Sequence, residues 1–370
     1  MKIPYFDLSK FYNAHSVYIN KLTSDFYSSG QYFSTEIILD FEKNLAKFVS
    51  RKFAITVGCC TDALYFSLKA LDIGPGDEVI LPSVSFIATL SPVLRAQAIP
   101  IFSDIDEETG LIDFNHLETL INPKVKAILL VDLYGNMHNP DVVKKIYNKY
   151  KIPIIIDAAQ SIGSTFNGVQ SGHIGTISCF SFDPTKVIHA FGTGGAILTD
   201  DPEIVEKLKL LRYHGKKGND FALTGYNSRI NSLQATLLNF QLELINDIIE
   251  NRRITTNSYS KAIEKLNHIS TIDIQKNCLP NCHKFVIKSD YRDFIRNYLE
   301  DVGIQTQIHY PKPLYRYSLL KMKNKKLELF KHAETFTRKV LSIPIHTYMD
   351  KVQISYICDK LAEADQKIGL

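Results

Sequence analysis

No stretch of this 370-residue sequence is apolar for long enough to cross a bilayer, and the opening Met1-Lys-Ile-Pro-Tyr-Phe-Asp turns polar too soon for a secretory leader. Charge of one sign is equally scarce. The 43 lysines and arginines against 39 acids leave a net +4, with no basic cluster dense enough for nucleic acid or an anionic membrane. There is no CxxC pair among the six cysteines and no His-x-x-x-His with a companion, which argues against a structural zinc site. Internal repeats and low-complexity segments are also missing. These absences leave a cytoplasmic, enzyme-sized protein with free thiols. Its 45% apolar and 22% charged residues are those of an ordinary globular chain, and its length suggests two domains.

From about Asp77 the sequence alternates strand and helix patterns. Glu78–Leu81, Pro100–Ser103, Lys126–Asp132, Ile152–Asp157, Thr176–Phe182 and Gly195–Thr199 read as strands, with helices over Phe86–Ala96 and Asp141–Tyr150 between them. That alternation predicts a mostly parallel sheet with helices on both faces. Ahead of it, Thr61 to Leu71 has helical spacing, with Thr61 or Asp62 able to cap, and its amino end is a natural phosphate seat. Leu233 to Leu266 contains no Pro or Gly and predicts one long helix linking two domains. A smaller α+β unit follows: strand Phe285–Ile287, helix Tyr291–Val302, strand Ile304–Tyr310 and a final helix from about Asp350. Cys179 and Cys358 read as small core residues and Cys278 and Cys282 as loop residues, while the basic run Lys321–Lys326 reads as a solvated helix start.

Two residues carry the chemistry. Lys186 ends Ser178-Cys-Phe-Ser-Phe-Asp-Pro-Thr-Lys186, just before Gly192-Thr-Gly-Gly195. An apolar strand thus runs into a Pro-containing turn, a lysine, and glycines that permit close backbone approach. A lysine held on such a turn can point inward, where desolvation frees its amine as a nucleophile. Asp157 closes the Ile-rich run Ile152-Pro-Ile-Ile-Ile-Asp157, at the carboxyl end of a strand buried on both faces, and open α/β sheets bind ligands at that end. Singly, such a lysine is a surface residue and such an aspartate a turn former. Together, in this order and spacing, they match pyridoxal phosphate, which needs an amine for its aldehyde and a carboxylate for its pyridinium nitrogen.

The motifs resemble the DegT/DnrJ/EryC1/StrS family of sugar-nucleotide aminotransferases over nearly the whole chain. The likeness runs through Ile3–Leu8, Phe41-Glu42, Thr61–Leu64, Gly74–Ile80, Asp157-Ala-Ala-Gln160, Ser181–Lys186, Gly225-Tyr-Asn-Ser-Arg229, Gln234-Ala235, Gly303-Ile304, His309-Tyr-Pro311 and Ile343-Pro344. It implies an aspartate-aminotransferase-like α/β fold (pyridoxal-phosphate fold type I): a large doubly wound domain over residues 1–245 and a small α+β domain over 246–370, with the first twenty-five residues or so packing on the small one. It further implies that Lys186 holds the cofactor covalently and shuttles a proton, Asp157 pairs with the pyridine nitrogen, Gln160 lies beside the ring and Phe86 stacks on it. Thr61, Asp62 (through its amide) and Ser181 are implied phosphate ligands, Cys60 is an implied cofactor contact beside them, and Asn227 is implied to reach the phosphate of a second subunit in a homodimer. Arg229, His309 and Tyr310 are implied substrate contacts.

The implied reaction moves an amino group from glutamate to a keto group of a dTDP- or UDP-linked deoxysugar. The opening Ile-Pro-Tyr-Phe-Asp-Leu leans toward amination at C3 rather than C4, and products of such enzymes feed O-antigens and other glycans. A sugar 3-dehydratase is the alternative within the fold, but those relatives carry histidine for the lysine, and His189 lies too far along to replace Lys186. A non-catalytic regulator is the alternative outside enzymology, disfavoured by the intact Lys186, Asp157 and Gln160. Three departures stand out. Cys60 replaces a usual glycine and asks for a backbone conformation open to other residues. Thr193 replaces a carboxylate. Tyr315 stands where histidine is common, a change expected to tune sugar recognition.

Overall fold

In the computed structural model, residues 1–320 and 330–368 are described. A seven-stranded sheet organises the first two thirds of the chain. In spatial order its strands are Phe53–Val57, Gly195–Thr199, Ile177–Ser181, Ile154–Asp157, Val125–Val131, Glu78–Pro82 and Ile99–Ser103. All neighbours pair in parallel except Gly195–Thr199, which runs antiparallel to both of its partners. Strand periodicity explains the two cores. Ile155 joins one apolar cluster, with Leu129, Ile177 and Ile197, while Ile154 and Ile156 point to the other face, with Phe180, Ala196 and Leu198. Helix Cys60–Ala70 packs over the sheet at Ile177–Ser181 and Gly195–Thr199.

The Phe53–Val57 strand is an element the sequence pattern did not reveal. It is anchored by Glu42, a buried carboxylate that accepts from the Thr56 amide and hydroxyl, both at 2.7 Å, and pairs with Arg212 at 2.5 Å.

The predicted single linking helix is two, Ser232–Glu243 and Ile245–Ile263, separated at Leu244. Beyond them, Ser270–Thr271, Phe285–Lys288 and Val340–Ile343 form a small antiparallel sheet, covered by helices Arg292–Asp301 and Lys351–Ile368. The expected strand Ile304–Tyr310 does not form. Its segment changes partners midway: Gln305 N bonds Ile3 O at 3.0 Å, then Gln307 pairs with Ser342, so only isolated bridges arise. The first residues join the small unit through Ile3 and Tyr5, and helix Ser9–Ser29 touches both units. Phe11 and Ile19 pack against Leu237, while Lys10 Nζ donates to Tyr348 O at 3.2 Å and His15 Nε2 meets the Tyr348 hydroxyl at 2.8 Å. Cys278 is not in a loop but pairs with Phe166 in a short strand. Cys358, taken as a core residue, is only half-buried. The run Lys321–Lys326 lies outside the described residues.

Candidate active site

The strand Ile154–Asp157 ends by placing a carboxylate at the top of the sheet, 5% exposed. Asp157 Oδ1 accepts from the Ala159 amide at 3.2 Å, and Oδ2 accepts from Thr89 Oγ at 3.0 Å. Thr89 is itself fixed by Ser85, 2.7 Å away. Burial pushes the Asp157 carboxyl up, and the Ala159 amide, Thr89 and the charge of Lys186 oppose that rise. A cation brought to this carboxylate would be held strongly.

Lys186 reaches the same space from the neighbouring strand. After Ser181 the chain enters a turn in which Asp183 Oδ1 accepts from Thr185 N and Oγ, at 3.0 and 2.7 Å, and the Lys186 amide bonds Asp183 O at 2.9 Å. The turn aims the lysine over the sheet end. Burial lowers its pKa, opposed by Cys60, Asp157 and Asp183, and so favours the free amine a carbonyl centre requires.

The third element is the amino end of helix Cys60–Ala70. Its cap is Cys59, not Thr61 or Asp62, and Cys59 Sγ accepts from the Asp62 amide at 3.4 Å. The Asp62 amide thus already has a partner, and the Asp62 carboxylate turns to Arg95 at 3.0 Å and Ser228 at 2.7 Å. Cys60 opens the helix without the positive φ that would demand glycine, so the cysteine fits. The glycine that matters is Gly195. A Cβ there would lie 2.6 Å from both Cys59 C and Cys60 N, so only glycine lets the helix end seat against the strand.

These elements enclose a cavity of about 350 Å³. Nine expected residues line it: Cys60, Thr61, Phe86, Asp157, Gln160, Ser181, Lys186, His309 and Tyr310. Asp62, Asn227 and Arg229 do not. Asn227 is exposed, and Arg229 lies over the rings of Tyr213 and Phe33, 4.0 and 4.8 Å from their centroids. Thr193 lines the cavity but Tyr315 is buried elsewhere, bonding Glu334 at 2.6 Å. A larger cleft of about 680 Å³ opens at the opposite end of the strands, beside Ile154 and Thr176, where Arg51 is already paired with Asp200 at 2.8 Å. It holds neither the lysine nor the strand-end carboxylate.

The donor set fits pyridoxal phosphate: an amine, a buried carboxylate across the cavity, a helix amino end with Thr61 and Ser181 beside it, and Phe86, whose half-exposed ring offers a face. The comparisons agree. Residues 16–362 match the model of the DegT/DnrJ/EryC1/StrS aminotransferase family. The chain belongs to that family. It is 35% identical to the UDP-2-acetamido-2-deoxy-3-oxo-D-glucuronate aminotransferase of Pseudomonas aeruginosa, over 90% of this chain and 92% of the relative. It is 32% identical to a pleiotropic regulatory protein of Geobacillus stearothermophilus, over 98% of each. Among solved structures, DesV of S. venezuelae superposes with a TM-score of 0.94 at 30% identity, covering 98% of both chains. The protein is a pyridoxal-phosphate-dependent aminotransferase acting on nucleotide sugars, with the α/β fold expected of the family.

The aminotransferase cavity also contains residues that sequence reasoning missed. Gln160 is clamped: the Tyr134 amide donates to its Oε1 at 2.9 Å, and its Nε2 donates to the Tyr310 hydroxyl at 3.2 Å. Tyr134 holds φ +60°, its hydroxyl donates to His309 O, and Asn281 Nδ2 donates to Gln160 O at 3.0 Å. His309 contacts Ser342 Oγ through Nδ1 at 2.9 Å. Burial beside Lys284 and Lys186 lowers its pKa to about 2, leaving a neutral ring. Lys284 itself lines the cavity just before strand Phe285–Lys288. A lysine ahead of an apolar strand reads as a surface residue, so nothing in the pattern marked it.

Proposed function

We propose that this aminotransferase transfers an amino group from glutamate to the C3 ketone of a nucleotide-linked 6-deoxyhexose, working in the cytoplasm as a homodimer and supplying aminated sugars for surface polysaccharide or other glycans. The observation that carries the reading is that Lys186, Asp157 and the amino end of helix Cys60–Ala70 all meet at one cavity. The cofactor, when bound, supplies an aldehyde and a ring able to absorb an electron pair. Asp157 keeps the ring nitrogen protonated, with Thr89 and the Ala159 amide holding the carboxylate in place. Thr61, Ser181 and the helix end bind the phosphate, and Phe86 covers one ring face. Gln160 would offer the cofactor Nε2 rather than Oε1, because Oε1 is already taken by Tyr134. Lys186, with its amine free, would carry the proton to and from the substrate carbon.

The exposure of Asn227 supports its assignment to the cavity of a second copy, and with it the dimer. The lysine at position 186 supports transamination over dehydration, since a free amine defeats elimination. The 3-oxo sugar in the name of the Pseudomonas relative supports C3.

The test is the absorption spectrum of purified protein supplied with pyridoxal phosphate, wild type beside Lys186→Ala. A band near the visible edge that glutamate moves to shorter wavelength, that keto-sugar nucleotides restore, and that Lys186→Ala lacks or alters is the expected result. Turnover of that variant falls by at least about 10³-fold. A wild-type protein with no such band, or one that glutamate leaves untouched, overturns the reading.

A further inference from the structure

Lys284 is the cation of the cavity with no task in the reaction just described. It is half-buried, lines the same space as Lys186, and forms no ion pair among the described residues. Its Nζ lies 5.6 Å from the Tyr5 ring centroid and 5.5 Å from that of Phe6, both from the segment that bridges onto the small unit at Ile304. Two aromatic faces at this range steady an ammonium without satisfying its three donors. The cavity's carboxylates are otherwise engaged. Asp157 is held by Thr89 and the Ala159 amide, and Asp183 is bonded within its own turn to Thr185.

The remaining neighbours are cationic or neutral. Burial and the charges of Lys186 and Arg252 push the Lys284 pKa well down, with Asp183 the opposing group. His309 and the adjacent His283 are lowered too, burial being the main cause in each. An uncompensated lysine in such a place is costly unless a ligand completes it.

We propose that Lys284 binds a carboxylate of a substrate, so that the cavity selects ligands carrying a carboxylate at a fixed distance from the reacting centre. Two sources have the same chemistry: the side-chain carboxylate of a dicarboxylic amine donor, and the C6 carboxylate of a uronate sugar. The inference rests on the aminotransferase reading and sharpens it, because the second source would make the sugar a uronate rather than a 6-deoxyhexose.

The experiment is calorimetric titration of the cofactor-loaded protein, wild type and Lys284→Met, with three ligands that cannot react: glutarate, UDP-glucuronate and UDP-glucose. If the donor is the source, Lys284→Met weakens glutarate by roughly 10- to 100-fold and leaves both sugar nucleotides alone. If the sugar is the source, UDP-glucuronate weakens by that factor while UDP-glucose and glutarate do not. Lys284→Arg retains most of the affinity in either case, which a purely structural lysine would not predict. The proposal is overturned if both anions keep their wild-type affinity in Lys284→Met, or if UDP-glucose falls in step with UDP-glucuronate and glutarate is unchanged. A failed glutamate response in the wild type would instead sink the aminotransferase reading, and is read separately.

Discussion

Two walls of the cavity are built by different means. One wall comes from the ends of neighbouring strands in a single sheet: Asp157 closes Ile154–Asp157, Ser181 closes Ile177–Ser181, Lys186 follows within one turn, and Gly195 opens the next strand. The other wall is assembled from distant segments. Tyr134 bonds His309 across 175 positions, Asn281 bonds Gln160 across 121, and Lys284 sits under rings from residues 5 and 6. The first wall depends on strand geometry and a short turn, so its residue types recur at fixed spacings. The second depends on how a small unit settles against a large one. On the reading proposed above, most of the cofactor chemistry falls to the local wall and the choice of substrate to the assembled one.

That division can be broken in three ways. The largest effect belongs to Asp157→Asn, which keeps the shape of the local wall and removes the charge proposed to pair with the cofactor nitrogen. Turnover is expected to fall about 10³-fold, ~4 kcal/mol of barrier, with KM for the sugar nucleotide little changed. An equal rise in KM would mean that this wall also recognises substrate. Gly195→Ala comes next. The new Cβ must displace backbone at Cys59–Cys60, so a loss of about 1–3 kcal/mol in urea unfolding is expected together with weaker retention of pyridoxal phosphate on dialysis. Unchanged retention would detach the helix end from cofactor binding. The smallest effect is Tyr315→Phe. It removes the bond to Glu334, which keeps Arg316 at 2.8 Å, so about 1 kcal/mol of stability is lost. Steady-state KM should stay constant because Tyr315 lies off the cavity, whereas a shifted KM would restore the role in sugar recognition that its sequence position implied.

Legibility in the sequence follows the same division. The alternating patterns beyond Asp77 gave most of the large sheet, and the isoleucine run and the Pro-Thr-Lys turn pointed to residues 157 and 186 before any contact was known. Strand Phe53–Val57 was not legible, because its place is set by Glu42 and Arg212 and its pairing is with Gly195–Thr199, nearly 150 residues away. The cap of the first cavity helix was misplaced because a thiol at Cys59 is a weak acceptor that composition rules do not favour. The segment Ile304–Tyr310 reads as a strand by periodicity, yet it divides its hydrogen bonds between Ile3 and Ser342, and pattern carries no information on which partner arrives. Thr89, Tyr134, Asn281 and Lys284 went unmarked for the same reason: each matters through a residue far along the chain.

The clamp on Gln160 has a consequence for what the cavity can accept. With Oε1 receiving a backbone proton from Tyr134, the amide cannot rotate, and its nitrogen must give a proton to the Tyr310 oxygen. The Tyr310 hydroxyl then has its own proton to spend, and burial keeps that proton on by raising the phenol's pKa. The chain of hydrogen bonds has one direction, from main chain to open space. At that point the enzyme has a proton to offer, so a ketone, a phenolate or a phosphate oxygen is welcomed there.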